Sequence, residues 1–341
     1  MCLLFFLSSF WIRPIDSLSR SRSPNISRPP AKNFIQIKLP RGYRLPSAQQ
    51  LKFRGRDVIV DLFSEEFSRG MAVYAEIYGD SAAEKEFLVE RFSYDGRSVF
   101  LSKRSWGYRC VFGVDPGAGA GTKKITIVYS LEGAARSESF AVPIAEKIYL
   151  FRPEPLDLGK YSDVDYKPTP EETAFINRCS EKKTKVFGLT DRDRLGSLLS
   201  HPRDQHYITS PFWSKRLIMR YRKKNGRRIR FKDKLNIHKG VDLRGSTGDP
   251  VYCMAGGKVV IAEPMYYEGK FIVVDHGNRI FSYYMHLNDV KVEEGDAVQA
   301  GDLIGHVGST GLSTASHLHV SVVMQGIYVD PLSFLALPVR D

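Results

Sequence analysis

Three short stretches carry the side chains that could do chemistry. Ser316-His317-Leu318-His319-Val320 sets two histidines two apart in an apolar run. On a strand that spacing aims both imidazoles at one face. Upstream, His238-Lys239-Gly240-Val241-Asp242 spaces a histidine and a carboxylate evenly, so an extended chain would present these two on one face as well. Two imidazoles and a carboxylate can hold Zn²⁺ and leave its fourth position open to water, which marks catalytic rather than structural zinc. The third stretch, Tyr283-Tyr284-Met285-His286-Leu287, closes an alternating strand on a further imidazole. A lone His-x-His occurs by chance in many chains, so the weight lies in the combination.

The rest of the chain must position these groups. At 341 residues two domains are expected, and 43% hydrophobic with 26% charged residues is the balance of a globular protein with a real core. The net charge of +12 favours an anionic partner, for which nucleic acid, a membrane surface and an anionic wall polymer all qualify. Residues 2–12 are an apolar run too short to span a bilayer. They fit the apolar region of a secretory signal, with Ser17-Leu18-Ser19 as a cleavage context, although no basic residue precedes them. The alternatives are an uncleaved membrane anchor or a buried segment. Residues 13–33, rich in Ser, Arg and Pro, read as a linker.

Residues 34–151 read as an all-β sandwich of immunoglobulin-like architecture. Strands are expected at 34–39, 57–63, 71–78, 87–92, 98–101, 108–114, 124–129, 137–142 and 147–151. The stretch holds no histidine. Residues 152–208 form a linker with one helix, which Thr169-Pro170-Glu171-Glu172 starts as a capping box and which should run to about residue 183. His201 and His206 lie in polar, loop-like sequence and read as surface histidines. Cys110 and Cys179 could pair in an oxidising compartment, and Cys253 reads as a small core residue.

Residues 209–341 are β again. A hairpin is expected over 216–234, turning at Asn225-Gly226. Eleven Lys or Arg against one acid between Lys215 and Lys234 make it either a solvated strand pair or a basic wall beside a groove. Further strands are expected at 251–262, 271–275, 280–286, 302–307 and 317–324. Gly248-Asp249-Pro250-Val251 followed by Gly256-Gly257-Lys258-Val259 is echoed by Gly295-Asp296-Ala297-Val298 followed by Gly301-Asp302-Leu303-Ile304. That internal repeat predicts a domain built from duplicated β units.

These motifs, in this order, resemble a lysostaphin-type (LytM-type) zinc endopeptidase domain over residues 208–335. Thr209-Ser210-Pro211-Phe212, Val274-Asp275-His276-Gly277, Gly308-Ser309-Thr310-Gly311 and Val329-Asp330-Pro331 complete the likeness. The resemblance implies a duplicated hybrid-motif fold and cleavage of peptide cross-links in bacterial peptidoglycan. One Zn²⁺ per chain would be held by His238, Asp242 and His319, with His286 and His317 as the catalytic pair. Ser321 stands where many relatives carry Glu, which puts support of the metal ligands in question; Ala315 stands where many carry Gly. His276 reads as structural, and His306 as packed or at the surface.

The leading reading is therefore a zinc metalloendopeptidase, exported to the periplasm or cell envelope, cutting the D-Ala to diaminopimelate bond. A second reading is a non-enzymatic wall-binding or amidase-activating protein of the same fold. Nucleic acid is not expected as a partner, because no aromatic-basic RNA-binding motif accompanies the basic hairpin.

Overall fold

The structure is a computed structural model that describes residues 39–80, 87–188 and 193–341. The apolar segment, the Ser/Arg/Pro linker and nearly all of the strand expected at 34–39 lie outside the described residues. No helix among the described residues is long and apolar enough to cross a membrane.

Two antiparallel sheets follow. One runs in the order Gln49–Arg54, Val58–Ser64, Ala72–Gly79, Gly107–Gly113, Ser102–Arg104; the other runs Arg97–Val99, Phe87–Tyr94, Gly121–Leu131, Ala134–Ile144. Alternation in the third strand of the second sheet turns Ile125, Ile127 and Tyr129 inward against Val60, Ile77 and Phe92. Such fully buried side chains contribute roughly 1.5–3 kcal/mol each. The strands Val58–Ser64 and Ala72–Gly79 are buried almost throughout, because they are covered on both faces. On the outer face, Ala72, Tyr74 and Val111 join one apolar cluster with Val329 and Phe334 near the C-terminus. The Ala72 amide donates to Ser333 Oγ at 3.0 Å, and the Asp330 amide to the Gly70 carbonyl at 2.7 Å. The sandwich and the C-terminal β layers thus share a core.

The strand expected at 147–151 begins instead at its last residue. Phe151–Leu156 pairs in parallel with Lys215–Lys224, at the edge of a three-stranded sheet completed by Arg227–Ile237. Asn225 and Gly226 both take positive φ, 52° and 73°, as a type I′ hairpin turn requires. The helix runs Pro170–Phe187 with the capping box formed at Thr169 and Glu172, one turn longer than expected. Phe175, Cys179, Val186 and Phe187 cover an apolar cluster with Phe271, Val273, Phe281 and Tyr283. All three described cysteines are free and buried, so Cys110 and Cys179 do not pair: Cys110 lies in the sandwich core and Cys179 under the helix.

The C-terminal layers are two sheets. The larger runs Ile208–Ser210, Val241–Arg244, His317–Met324, Ile280–Leu287, Gly269–Asp275, Gly257–Met265, Ala297–Val298; the smaller runs Pro250–Tyr252, Leu303–His306, Asp289–Val290. The single strand expected over 251–262 is therefore two strands in different sheets. The internal repeats pair reciprocally. Val251 faces Gly305 and Gly257 faces Val298, so each half of one repeat completes a sheet with the opposite half of the other.

His276 is fully buried, with Nδ1 beside the Gly256 carbonyl at 2.8 Å and Nε2 beside Ser282 Oγ at 2.9 Å. Burial pulls its pKa down from 6.5 to about 4. Between those values the unfolded chain takes up a proton that the folded chain refuses. Folding stability is thus lost as pH falls through this window, by about 3 kcal/mol from this residue. In an NMR titration the His276 ring is expected to stay neutral at pH 5; a midpoint near 6.5 would rule the effect out.

Candidate metal centre and active site

Three adjacent strands in the middle of the larger sheet carry the site. His317–Met324 lies between Val241–Arg244 and Ile280–Leu287. Its even-numbered residues, Leu318, Val320, Val322 and Met324, face the shared core. Its odd-numbered residues face the other way, and there Val323 packs under the helix while His317 and His319 lie toward the open end. Asp242 is the cross-strand neighbour of His319, which places the two side chains on the same face.

His238 arrives differently from the sequence expectation. It follows the strand Arg227–Ile237 and precedes a turn, so the chain wraps back toward Asp242 instead of extending. Gly240 makes the turn fit: a Cβ there would sit 2.3 Å from the Val320 carbonyl oxygen and 2.6 Å from His319 Nε2. His286 also departs from simple alternation. Tyr284 and Leu287 both face the core, and the pairing with Gly269–Asp275 slips by one residue between them. His286 takes φ +63° at this bulge and is turned out of the core toward the site. Its ring centroid is 5.0 Å from that of His317 and 6.1 Å from that of His319.

His238 Nε2, Asp242 Oδ1 and His319 Nδ1 lie 2.9 Å from one another, pair by pair. Two ring nitrogens and a carboxylate oxygen converging at this spacing, all buried, fit a metal ion bound by His238, Asp242 and His319. The hydrogen bonds on the far sides of the rings fix which nitrogens are free. His238 Nδ1 donates to the Pro211 carbonyl at 3.1 Å, His286 Nδ1 to that of Thr310 at 2.9 Å, and His317 Nδ1 to that of Ala315 at 2.8 Å. A carbonyl only accepts, so in the neutral form of each ring Nε2 carries the lone pair. Ser321 Oγ donates its proton to the Lys239 carbonyl at 2.9 Å and therefore accepts from His319 Nε2 at 2.9 Å, which leaves the His319 Nδ1 lone pair facing Asp242. Ser321 thus does orient a ligand ring, although a serine rather than an acid stands there.

Burial pulls His238 down to about 4. Burial, with His319 and His317 adding to it, pulls His286 down to about 3. His317 Nε2 is 3.5 Å from Asp242 Oδ1.

One residue of the site was missed in the sequence. Arg216 Nη2 donates to Asp242 Oδ2 at 2.6 Å, from the root of the basic hairpin. The oxygen that faces the imidazoles is thereby left for a metal, while the other is tied back. Arg216→Met is expected to weaken metal affinity about 10- to 100-fold. Competition with a chromophoric chelator reads this directly, and unchanged affinity would show that Arg216 only packs.

Other histidines separate from the site. His201 is fully buried, not at the surface: its Nδ1 meets the Arg203 carbonyl at 2.9 Å, and Tyr43 packs across it and His206. Residues 199–203 of this polar stretch are buried, whereas residues 204–208, with His206, are exposed as expected. His306 pairs with Asp289 Oδ1 at 2.7 Å.

A groove of about 460 Å³ opens along the site, lined by Asp242 and His317 and by Arg152, Arg216 and Arg244 among others. Its lining comes from residue 152 onward, and no residue of the sandwich contributes among the described residues.

A β protein with this donor set, and two more imidazoles beside it, has the makings of a metallohydrolase. Residues 236–331 match Peptidase family M23. The peptidoglycan DD-endopeptidase ShyA of Vibrio cholerae is 37% identical over 89 residues, which are 26% of this chain and 21% of that protein. Lysostaphin of Staphylococcus staphylolyticus is 39% identical over 105 residues, 29% of this chain and 22% of that protein. The matches span about a fifth of the length of these relatives. A protein of Pseudomonas aeruginosa solved as a peptidase M23 aligns over 80% of this chain and 96% of its own, with a TM-score of 0.54 at 21% identity, and so shares the fold.

Proposed function

We propose that this chain is a zinc metalloendopeptidase that hydrolyses peptide cross-links of bacterial peptidoglycan in the cell envelope. The observation that carries the reading is the convergence of His238 Nε2, Asp242 Oδ1 and His319 Nδ1, with the Nε2 lone pairs of His286 and His317 beside them. When bound to those three atoms, Zn²⁺ supplies Lewis acidity: it lowers the pKa of water toward ~7 and polarises a carbonyl. The residues of the chain do the rest. One of His286 and His317 takes the proton of the attacking water and returns it to the leaving amine. The other takes up a proton from solvent and, as the imidazolium, donates a hydrogen bond to the developing oxyanion. The Thr310 and Ala315 carbonyls hold both rings in the orientation these tasks need. The D-Ala to diaminopimelate amide is the bond we assign, in keeping with the DD-endopeptidase relatives.

The test is reconstitution. Protein stripped of metal by chelation should not cut a cross-linked muropeptide dimer, and one equivalent of Zn²⁺ should restore release of the monomers. Zinc binding at one per chain with no cleavage would refute the reading.

A further inference from the structure

We propose that Arg152 and Arg244 form an anionic subsite for the carboxylate on the amine side of the scissile bond. This deepens the peptidase reading and rests on it. Arg152 and Arg244 line the same groove as Asp242 and His317. Arg216, the third arginine there, is already committed to Asp242. Asp242 is the groove's single acid; Oδ2 is tied to Arg216, and the other oxygen faces the ring nitrogens of His238 and His319. Arg152 comes from the strand Phe151–Leu156; Nη2 donates to the Thr209 carbonyl at 2.5 Å, and its buried Nε has no partner. Arg244 ends the strand Val241–Arg244 and lies over the Tyr207 ring at 4.7 Å. Neither forms an ion pair among the described residues, so two guanidinium groups meet the groove without a protein carboxylate to neutralise them.

A planar fork of donors held by one backbone bond or one aromatic face is suited to a carboxylate. The proposed substrate supplies one at a fixed place. In the D-Ala to diaminopimelate link, the carbon bonded to the scissile nitrogen carries a free carboxylate, so covalent geometry keeps its oxygens within about 4 Å of that nitrogen. A substrate set for attack beside His317 therefore carries this charge into the arginine-lined groove. A glycine bridge has no such group. A site built around a charged partner rejects the neutral analogue, because its own charges are then left unpaired.

The test compares two cross-linked peptides that differ only in this group, the free acid and its primary amide. Cleavage is followed in the zinc-loaded full chain. Binding is followed by fluorescence anisotropy in zinc-loaded His286→Ala, which turns over too slowly to consume the peptide. The acid is expected to bind about 10- to 100-fold tighter than the amide. Arg152→Gln and Arg244→Gln, made separately and together, should shrink that ratio, and the double variant should bring it within threefold. Because Arg152 also holds the Thr209 carbonyl, exposed Arg244 is the variant that decides if Arg152→Gln folds poorly. Equal affinity for acid and amide, failure to bind either, or a preference that survives both substitutions overturns the subsite. Acid-selective binding without any cleavage would sink the peptidase reading and leave the subsite standing.

Discussion

His319→Ala is expected to abolish hydrolysis and zinc retention together. His319 is buried and supplies one of three converging donor atoms. Its loss leaves His238 and Asp242, one nitrogen and one oxygen, which is a poor set for zinc. If the three donors share zinc-binding free energy of the usual size evenly, affinity falls on the order of 10³-fold. At micromolar protein the metal is then lost on dialysis, and activity drops to background. Metal content by atomic absorption and peptide release on the same sample check both halves. A variant that keeps one zinc and loses activity would move His319 out of the ligand set.

His286→Ala and His317→Ala separate chemistry from metal binding. Neither ring contributes to the 2.9 Å triangle of donor atoms, and each is held by a carbonyl of its own. Zinc content should stay at one per chain, while kcat falls about 10²- to 10⁴-fold, the usual cost of removing a positioned acid or base. KM should move much less, because the lost interaction belongs to the transition state. The double variant should be little worse than the poorer single one, because both rings serve the same step. Loss of zinc in either variant would assign that ring to the metal.

The site was legible to the extent that its residues sit in local motifs. His317 and His319 share a strand face because strands alternate, and no tertiary information was needed to say so. His238 and Asp242 do meet, but around the bend at Gly240 and not along one extended strand as their even spacing suggested. The bulge at His286 left no mark in the sequence: strict alternation would have buried that ring with Tyr284 in the core. Arg216 was hidden for another reason. In the sequence it is one of eleven cations in the hairpin stretch, and only the fold distinguishes the one at its root beside Asp242 from those exposed at its tip. Most sandwich strands were legible from their alternation and turns, but Gln49–Arg54 was not expected, and the single strand expected at 98–101 is Arg97–Val99 and Ser102–Arg104 in different sheets. The shared core was not, because Ala72 and Tyr74 look like any residues of an apolar run, and only long-range packing reveals that both faces are covered.

The most direct test of the account is digestion of diaminopimelate-type sacculi by the zinc-loaded full chain, with His319→Ala alongside and the soluble products weighed by mass spectrometry. The account predicts that cross-linked dimers disappear and tetrapeptide monomers appear, with one water added for each dimer cut, in the wild-type digest alone. Dimers that persist beside a zinc-loaded protein, or monomers that appear equally with His319→Ala, would contradict it.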